Sequence, residues 1–138
     1  MDLAFIKGNN KLSVRVGLIL QYKNEILLLK KDSNNYYVLP GGHVKFGEFL
    51  EESIKREIKE ELALDIEPEY YTFLENFYTN KFFRHEYFFI FRSKLNNKLK
   101  LTQTIEGLEK VEWIDLKERK DIKIYPNSLK EILTTNEA

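Results

Sequence analysis

The 138-residue chain contains no cysteine, which excludes disulfides and thiolate metal sites and fits a reducing compartment. It also lacks net charge. Its 22 lysines and arginines balance its 22 aspartates and glutamates, so there is no broad basic field and no duplex nucleic-acid partner is expected. Runs such as VGLIL and EILLLK are far too short to cross a bilayer. The N-terminus, MDLAFIKGNNKLSVRV, lacks the basic segment, apolar run and small-residue cleavage site of a secretion signal. A soluble, cytoplasmic protein with no membrane partner is the expectation. A G-x-S-x-G elbow, a P-loop lysine motif, internal repeats, linkers and low-complexity segments are missing too.

What remains is the composition of a globular protein, 43% hydrophobic and 14% aromatic, long enough for one domain over residues 1–138 with its own core. Residues 11–22, KLSVRVGLILQY, read as a strand that becomes buried on both faces, with 25–31 as its hairpin partner. Residues 36–39 read as a short strand entering a glycine turn. A strand is expected over 65–80, with Pro68 near its start, then an aromatic strand over 81–94 after a turn at 79–83. Glu109 to Asp115 reads as a further strand and Leu116 to Asp121 as a helical turn. Pro126 opens a terminal helix in YPNSLKEILTTN, with Leu129, Ile132 and Leu133 facing inward. Strands on both sides of a long helix imply an α/β fold with a mixed sheet between helices.

The densest chemistry lies in residues 39–66, LPGGHVKFGEFLEESIKREIKEELALDI. If Phe49 to Leu62 is helical, Leu50, Ile54, Ile58 and Leu62 form the buried stripe, and Glu57, Glu60 and Glu61 stand together beside it. Like charges so placed repel by a few tenths of a kcal/mol per pair, and the helix dipole disfavours anions near its C-terminal end. Pairs four apart, Glu51 with Lys55 and Glu52 with Arg56, offset part of this. They are equally consistent with a solvated, salt-bridged surface helix. The preceding Pro40-Gly41-Gly42 turn shifts the balance, because glycines allow close approach to backbone carbonyls and hard cations take oxygen ligands.

Gly42, Glu48, Arg56, Glu57, Ile58, Glu60, Glu61 and Leu64 fall in the order and spacing of G-x5-E-x7-R-E-U-x-E-E-x-G-U, where U is a bulky aliphatic residue. This stretch resembles the Nudix box in eight of nine defined positions. The exception is Ala63, where the pattern has glycine; an alanine in a left-handed cap costs about 1 to 2 kcal/mol. The resemblance implies an alpha/beta/alpha sandwich and a pyrophosphohydrolase of a nucleoside di- or triphosphate derivative, with water attacking one phosphorus. By the same resemblance Glu57, Glu60 and Glu61, with the Gly41 carbonyl, would hold Mg2+ or Mn2+. Gly42 and Glu48 would give structural support, and Arg56 would brace the loop or touch substrate.

Outside the box, Glu106 is the leading candidate for an extra ligand or general base by its resemblance in position, with Glu109 a close competitor. His43, directly after the double glycine, is a candidate for touching phosphate, and His85 for lining the substrate pocket. Phe82, Phe83, Tyr87 and Phe89 are either core or a base-stacking surface. The partner is a small nucleotide or another diphosphate, and a homodimer stays open. Two alternatives accompany the leading reading: a nucleotide-binding or regulatory domain without turnover, and a hydrolase of a non-nucleotide diphosphate.

Overall fold

The computed structural model describes residues 1–79 and 81–135. Among them the elements run β1 (Ala4–Lys7), β2 (Asn10–Tyr22), β3 (Glu25–Lys30), β4 (Gly41–His43), α1 (Leu50–Leu62), β5 (Glu69–Thr79), β6 (Phe83–Lys94), β7 (Lys110–Ile114) and α2 (Asn127–Thr135). The expected ends of the 65–80 strand at Asn80 and of the terminal helix at Asn136 lie outside the described residues.

The strands form one mixed sheet whose path is β5-β6-β2-β3-β7, with β1 and β4 also paired to β2. β6 runs parallel to β2 from Asn10↔Phe83 to Gln21↔Lys94 and so occupies one whole edge. The other edge is shared in succession. β1 takes the beginning, β4 the middle (Arg15↔His43 to Gly17↔Gly41), and β3 only the last two pairs. β3 then diverges toward β7, and the glycine turn occupies the opening.

Alternation on β2 explains the two cores. Val16, Leu18 and Leu20 point to the layer formed with Ile54, Ile58 and Leu62 of α1. Ile19 points to the opposite layer, with Ile90, Leu129 and Leu133. Helices therefore cover both faces, the α/β sandwich expected from the pattern.

Several expectations need correction. β1 was not anticipated; AFIK is too short to show a period, and only the Gly8 turn, at φ 60°, marks the hairpin. Residues 36–39 make isolated pairings, Leu29↔Val38 and Tyr37↔Ile124, in place of a strand. β5 begins after Pro68, at Glu69. The Glu51–Lys55 pair forms at 3.5 Å, but the expected Glu52–Arg56 pair does not. Glu52 instead accepts the Phe49 N–H at 3.0 Å at the start of α1, and Arg56 turns to Glu48.

Candidate active site

The site begins where β4 lies against β2. A Cβ on Gly41 would collide with the Val16 carbonyl, and one on Gly42 would lie 2.6 Å from the carboxylate of Glu57. Both glycines are thus demanded by close approach. α1 then carries its apolar stripe into the core, with Ile54, Ile58 and Leu62 almost fully buried, which fixes the azimuth of the acidic face. The helix ends on Ala63 in a left-handed conformation (φ 54°, ψ 35°), its N–H donating to Lys59. Alanine thus adopts the turn that glycine takes without strain, and the acids before it keep their places.

Arg56 knits loop to helix. Its Nε and Nη2 donate to the two carboxylate oxygens of Glu48 at 2.6 and 2.9 Å, a bidentate pair. Nη1 donates to Glu57 at 2.9 Å and reaches Glu60 at 3.4 Å, while Nη2 also meets the His43 carbonyl at 3.2 Å. Glu48 in turn accepts the Lys45 N–H at 2.8 Å. The guanidinium holds the Glu48 carboxyl down to about 2, and the carboxylates around it stabilise the Arg56 charge further.

Glu57, Glu60 and Glu61 line one cleft of about 200 Å3 together with Thr104, Glu106, Leu108 and Glu109. The loop carrying the last four is tied to the helix end by Ile105 N–H donating to the Glu61 carbonyl at 2.9 Å. Burial, with help from Glu109 and Glu57, raises the Glu61 carboxyl to about 8, against the pull of the Gly41 N–H at 2.7 Å. Burial also raises Glu57 and Glu109. Among the described residues no three acidic or imidazole groups converge into a complete metal cage. The donor set nevertheless fits a hard cation: its side chains are carboxylates, burial disfavours the anions of Glu57 and Glu61 as they stand, and Mg2+ commonly takes only one or two carboxylates with water and phosphate.

A larger cavity of about 500 Å3 shares Glu61 and Glu109 with the cleft and adds Gly41. Tyr36, Tyr78 and Tyr125 line it, as do Arg15, Lys31 and Arg84. Tyr125 packs on Tyr36 and edge-on against Tyr78, both at 5.3 Å between ring centres. Sequence reasoning missed these residues. The tyrosines are scattered along the chain, whereas Arg15 left a signal, a charged side chain in the midst of an apolar strand.

The NUDIX domain family model matches residues 11–133. The chain belongs to the Nudix hydrolase family. An ADP-ribose pyrophosphatase of Methanocaldococcus jannaschii is 46% identical over 55 residues, covering 38% of this Nudix chain and 32% of the relative, so the match spans about a third of that protein's length. A mutator MutT protein from Bacillus halodurans superposes with a TM-score of 0.71 at 26% identity, covering 88% of this chain and 80% of the other. A MutT protein from Methanosarcina mazei gives 0.70 at 21% identity, covering 90% and 91%.

Within the Nudix framework the remaining candidates separate. His43 lies opposite Arg15 on β4, its Nε2 buried without a partner and its pKa lowered mainly by that burial. It lines neither cavity. His85 lies on the face of β6 turned from the larger cavity, bonded to Glu75 at 2.8 Å and packed 4.3 Å from the Phe77 ring. Phe83 shares that outer groove with Phe5 and Leu12, and Phe89 stacks on Phe73. Glu106 is exposed at the cleft mouth, while Glu109 is half-buried between the two cavities. Among the described residues no helix is long and apolar enough to cross a membrane.

Proposed function

We propose that this Nudix hydrolase cleaves the diphosphate of a nucleoside diphosphate derivative, using Mg2+ or Mn2+ held by Glu57, Glu60 and Glu61 with the Gly41 carbonyl. The observation that carries the reading is the carboxylate cleft sharing Glu61 and Glu109 with a neighbouring cavity walled by tyrosines and arginine. Such a divalent ion, when bound, neutralises phosphate oxygens and lowers the pKa of water.

The chain's own residues divide the rest of the work. Gly42 leaves room for Glu57, and the Glu48–Arg56 pair holds loop and helix at fixed distance. Arg56 is accordingly a support in this reading, its donors being taken by Glu48, Glu57 and the His43 carbonyl. Glu109 stands ahead of Glu106 as the base that accepts the water proton, because it borders both cavities and burial raises its pKa toward neutrality. The packed pair of Tyr36 and Tyr125 would offer the base a ring face, such a stacking contact contributing about 1 to 3 kcal/mol. His43 stays beside Arg15, outside both cavities, and His85 is left out of the substrate site.

A panel of nucleoside triphosphates, ADP-ribose, other nucleoside diphosphate sugars, and prenyl and sugar diphosphates, each with and without Mg2+ or Mn2+, tests the reading by product chromatography. Nucleoside monophosphate should appear only with metal. Glu60→Gln should lower the rate by about 100-fold or more with an unchanged circular dichroism spectrum. Unchanged turnover rejects the assigned role; nucleotide binding without product selects a binding domain, and product from prenyl or sugar diphosphates alone selects a non-nucleotide enzyme.

A further inference from the structure

Among the described residues three cations line the larger cavity, and one of them has a buried donor without a hydrogen-bonding partner. Arg84 donates to the Tyr78 hydroxyl at 3.1 Å and lies over its ring, and Lys31 is exposed at the rim. Arg15 is different. Its Nε is buried with no hydrogen-bond partner, and the carboxylate it meets, Glu86, stands 3.7 Å from Nη1, too far for a hydrogen bond. Glu86 is 1% exposed and its Oε1 is likewise unpartnered. The Arg15 guanidinium lies 5.9 Å from the centre of the Phe88 ring, while the side chain keeps 31% of its surface open where it lines the cavity.

Its position is as telling as its lack of partners. Arg15 sits on β2 directly across from His43, two residues from the place where Gly41 meets Gly17. It lines the cavity that shares Glu61 and Glu109 with the acidic cleft, so it stands beside that cleft. A guanidinium is a fork of five donors with no acceptor, matched in shape to phosphate oxygens. A buried charged donor without an acceptor is unfavourable, and an anionic oxygen entering the cavity relieves it.

We propose that Arg15 is a substrate-phosphate clamp, donating to a non-bridging oxygen of the diphosphate where it leaves the carboxylate cleft for the tyrosine-walled cavity, and that Glu86 is its positioning residue. The clamp rests on the diphosphate-cleaving reading above. It explains why a charged pair is retained in the floor of an otherwise apolar layer: Glu86 is too distant to saturate Arg15 and close enough to aim it.

The test uses the full chain and inorganic pyrophosphate as probe, with Mn2+ present, together with kinetics on whichever nucleotide the wild type cleaves. Arg15→Gln should weaken pyrophosphate binding by about 10- to 100-fold and raise KM to a similar degree, with kcat changed much less. Its Mn2+ affinity should stay close to the wild type's, while its melting temperature falls because the buried Glu86 loses its cation; kinetics below the new transition keep the comparison valid. Arg15→Lys should recover part of the affinity, because it restores charge without the fork. Glu86→Gln should shift KM in the same direction by less. Pyrophosphate affinity and KM within twofold of wild type in Arg15→Gln overturns the clamp alone, as does a loss confined to kcat or matched by loss of Mn2+ binding. A wild type that binds neither Mn2+ nor pyrophosphate and cleaves nothing overturns the functional reading beneath it.

Discussion

Replacing Gly42 with alanine displaces a metal-binding candidate without deleting it. The new methyl group would lie 2.6 Å from Cδ and both carboxylate oxygens of Glu57. Ordinary carbon contacts lie near 3.5 to 4.0 Å, so the carboxylate must retreat by about 1 Å. That retreat is opposed, because Glu57 is 15% exposed and accepts Arg56 Nη1 at 2.9 Å, while Arg56 is pinned in turn by Glu48. The end of a glutamate side chain can still rotate, so the stability loss should stay near 1 to 2 kcal/mol. A misplacement of about 1 Å in a catalytic group costs about 100-fold in rate, so kcat/KM should fall much further than stability does. Urea denaturation and steady-state kinetics measure the two losses side by side. A Mn2+ binding cycle isolates the cause: Gly42→Ala should weaken binding in the wild type and do little once Glu57→Ala has removed the displaced group. Wild-type turnover in Gly42→Ala, or an equal loss of Mn2+ affinity in both backgrounds, refutes the reasoning.

Glu61 makes metal uptake depend on pH. With its carboxyl raised to about 8, it is mostly protonated at pH 7, and a cation must expel that proton. Apparent Mn2+ affinity should therefore rise with pH up to about 8 and then level off, with close to one proton released per ion near neutrality. Calorimetry in buffers of different ionisation enthalpy reads this directly, and zero release sinks it. The same shift lowers stability in the metal-free protein: between 4.5 and about 8 the folded state binds more protons than the unfolded state, so stability falls as pH rises. Glu61→Gln should consequently be more stable than wild type at pH 8 without metal, by about 2 kcal/mol in denaturant titrations, while losing activity. Glu48 shows the opposite sign. Its carboxyl is lowered to about 2, so its contribution is present above 4.5 and fades as pH falls from 4.5 toward 2. Glu48→Gln should lose about 1 to 2 kcal/mol at pH 7, allowing for solvent screening of the pair, with the difference from wild type closing in acid.

Local periodicity made α1 legible, since spacing by four places Ile54, Ile58 and Leu62 in the core and leaves Glu57, Glu60 and Glu61 on one neighbouring face. The two-sided burial of β2 was equally plain from its run of aliphatic residues. Pairings that depend on competition were less so. Arg56 had an acid four residues before it in Glu52, yet the bidentate geometry offered by Glu48 prevails. The cavity wall was hidden for a different reason: Tyr36, Tyr78 and Tyr125 meet only through tertiary folding, and no spacing along the chain connects them. The four aromatic residues on or beside β6 read as either core or a stacking surface, and alternation turns Tyr87 and Phe89, with His85, to the α1 side of the sheet, away from Arg84 and the cavity.

The shared edge of β2 makes this enzyme unusually exposed to one kind of genetic accident. Gly41 can lie only where Val16 and Gly17 present bare backbone, so it acts as a latch that sets the frame of the sheet. An insertion or deletion of a single codon within β2 would slide that frame by one step and exchange its two faces. Val16 would then look into the tyrosine-lined cavity and Arg15 into the oily layer beneath α1. Every acid of the motif would survive in the translated protein, and the catalyst would still be gone.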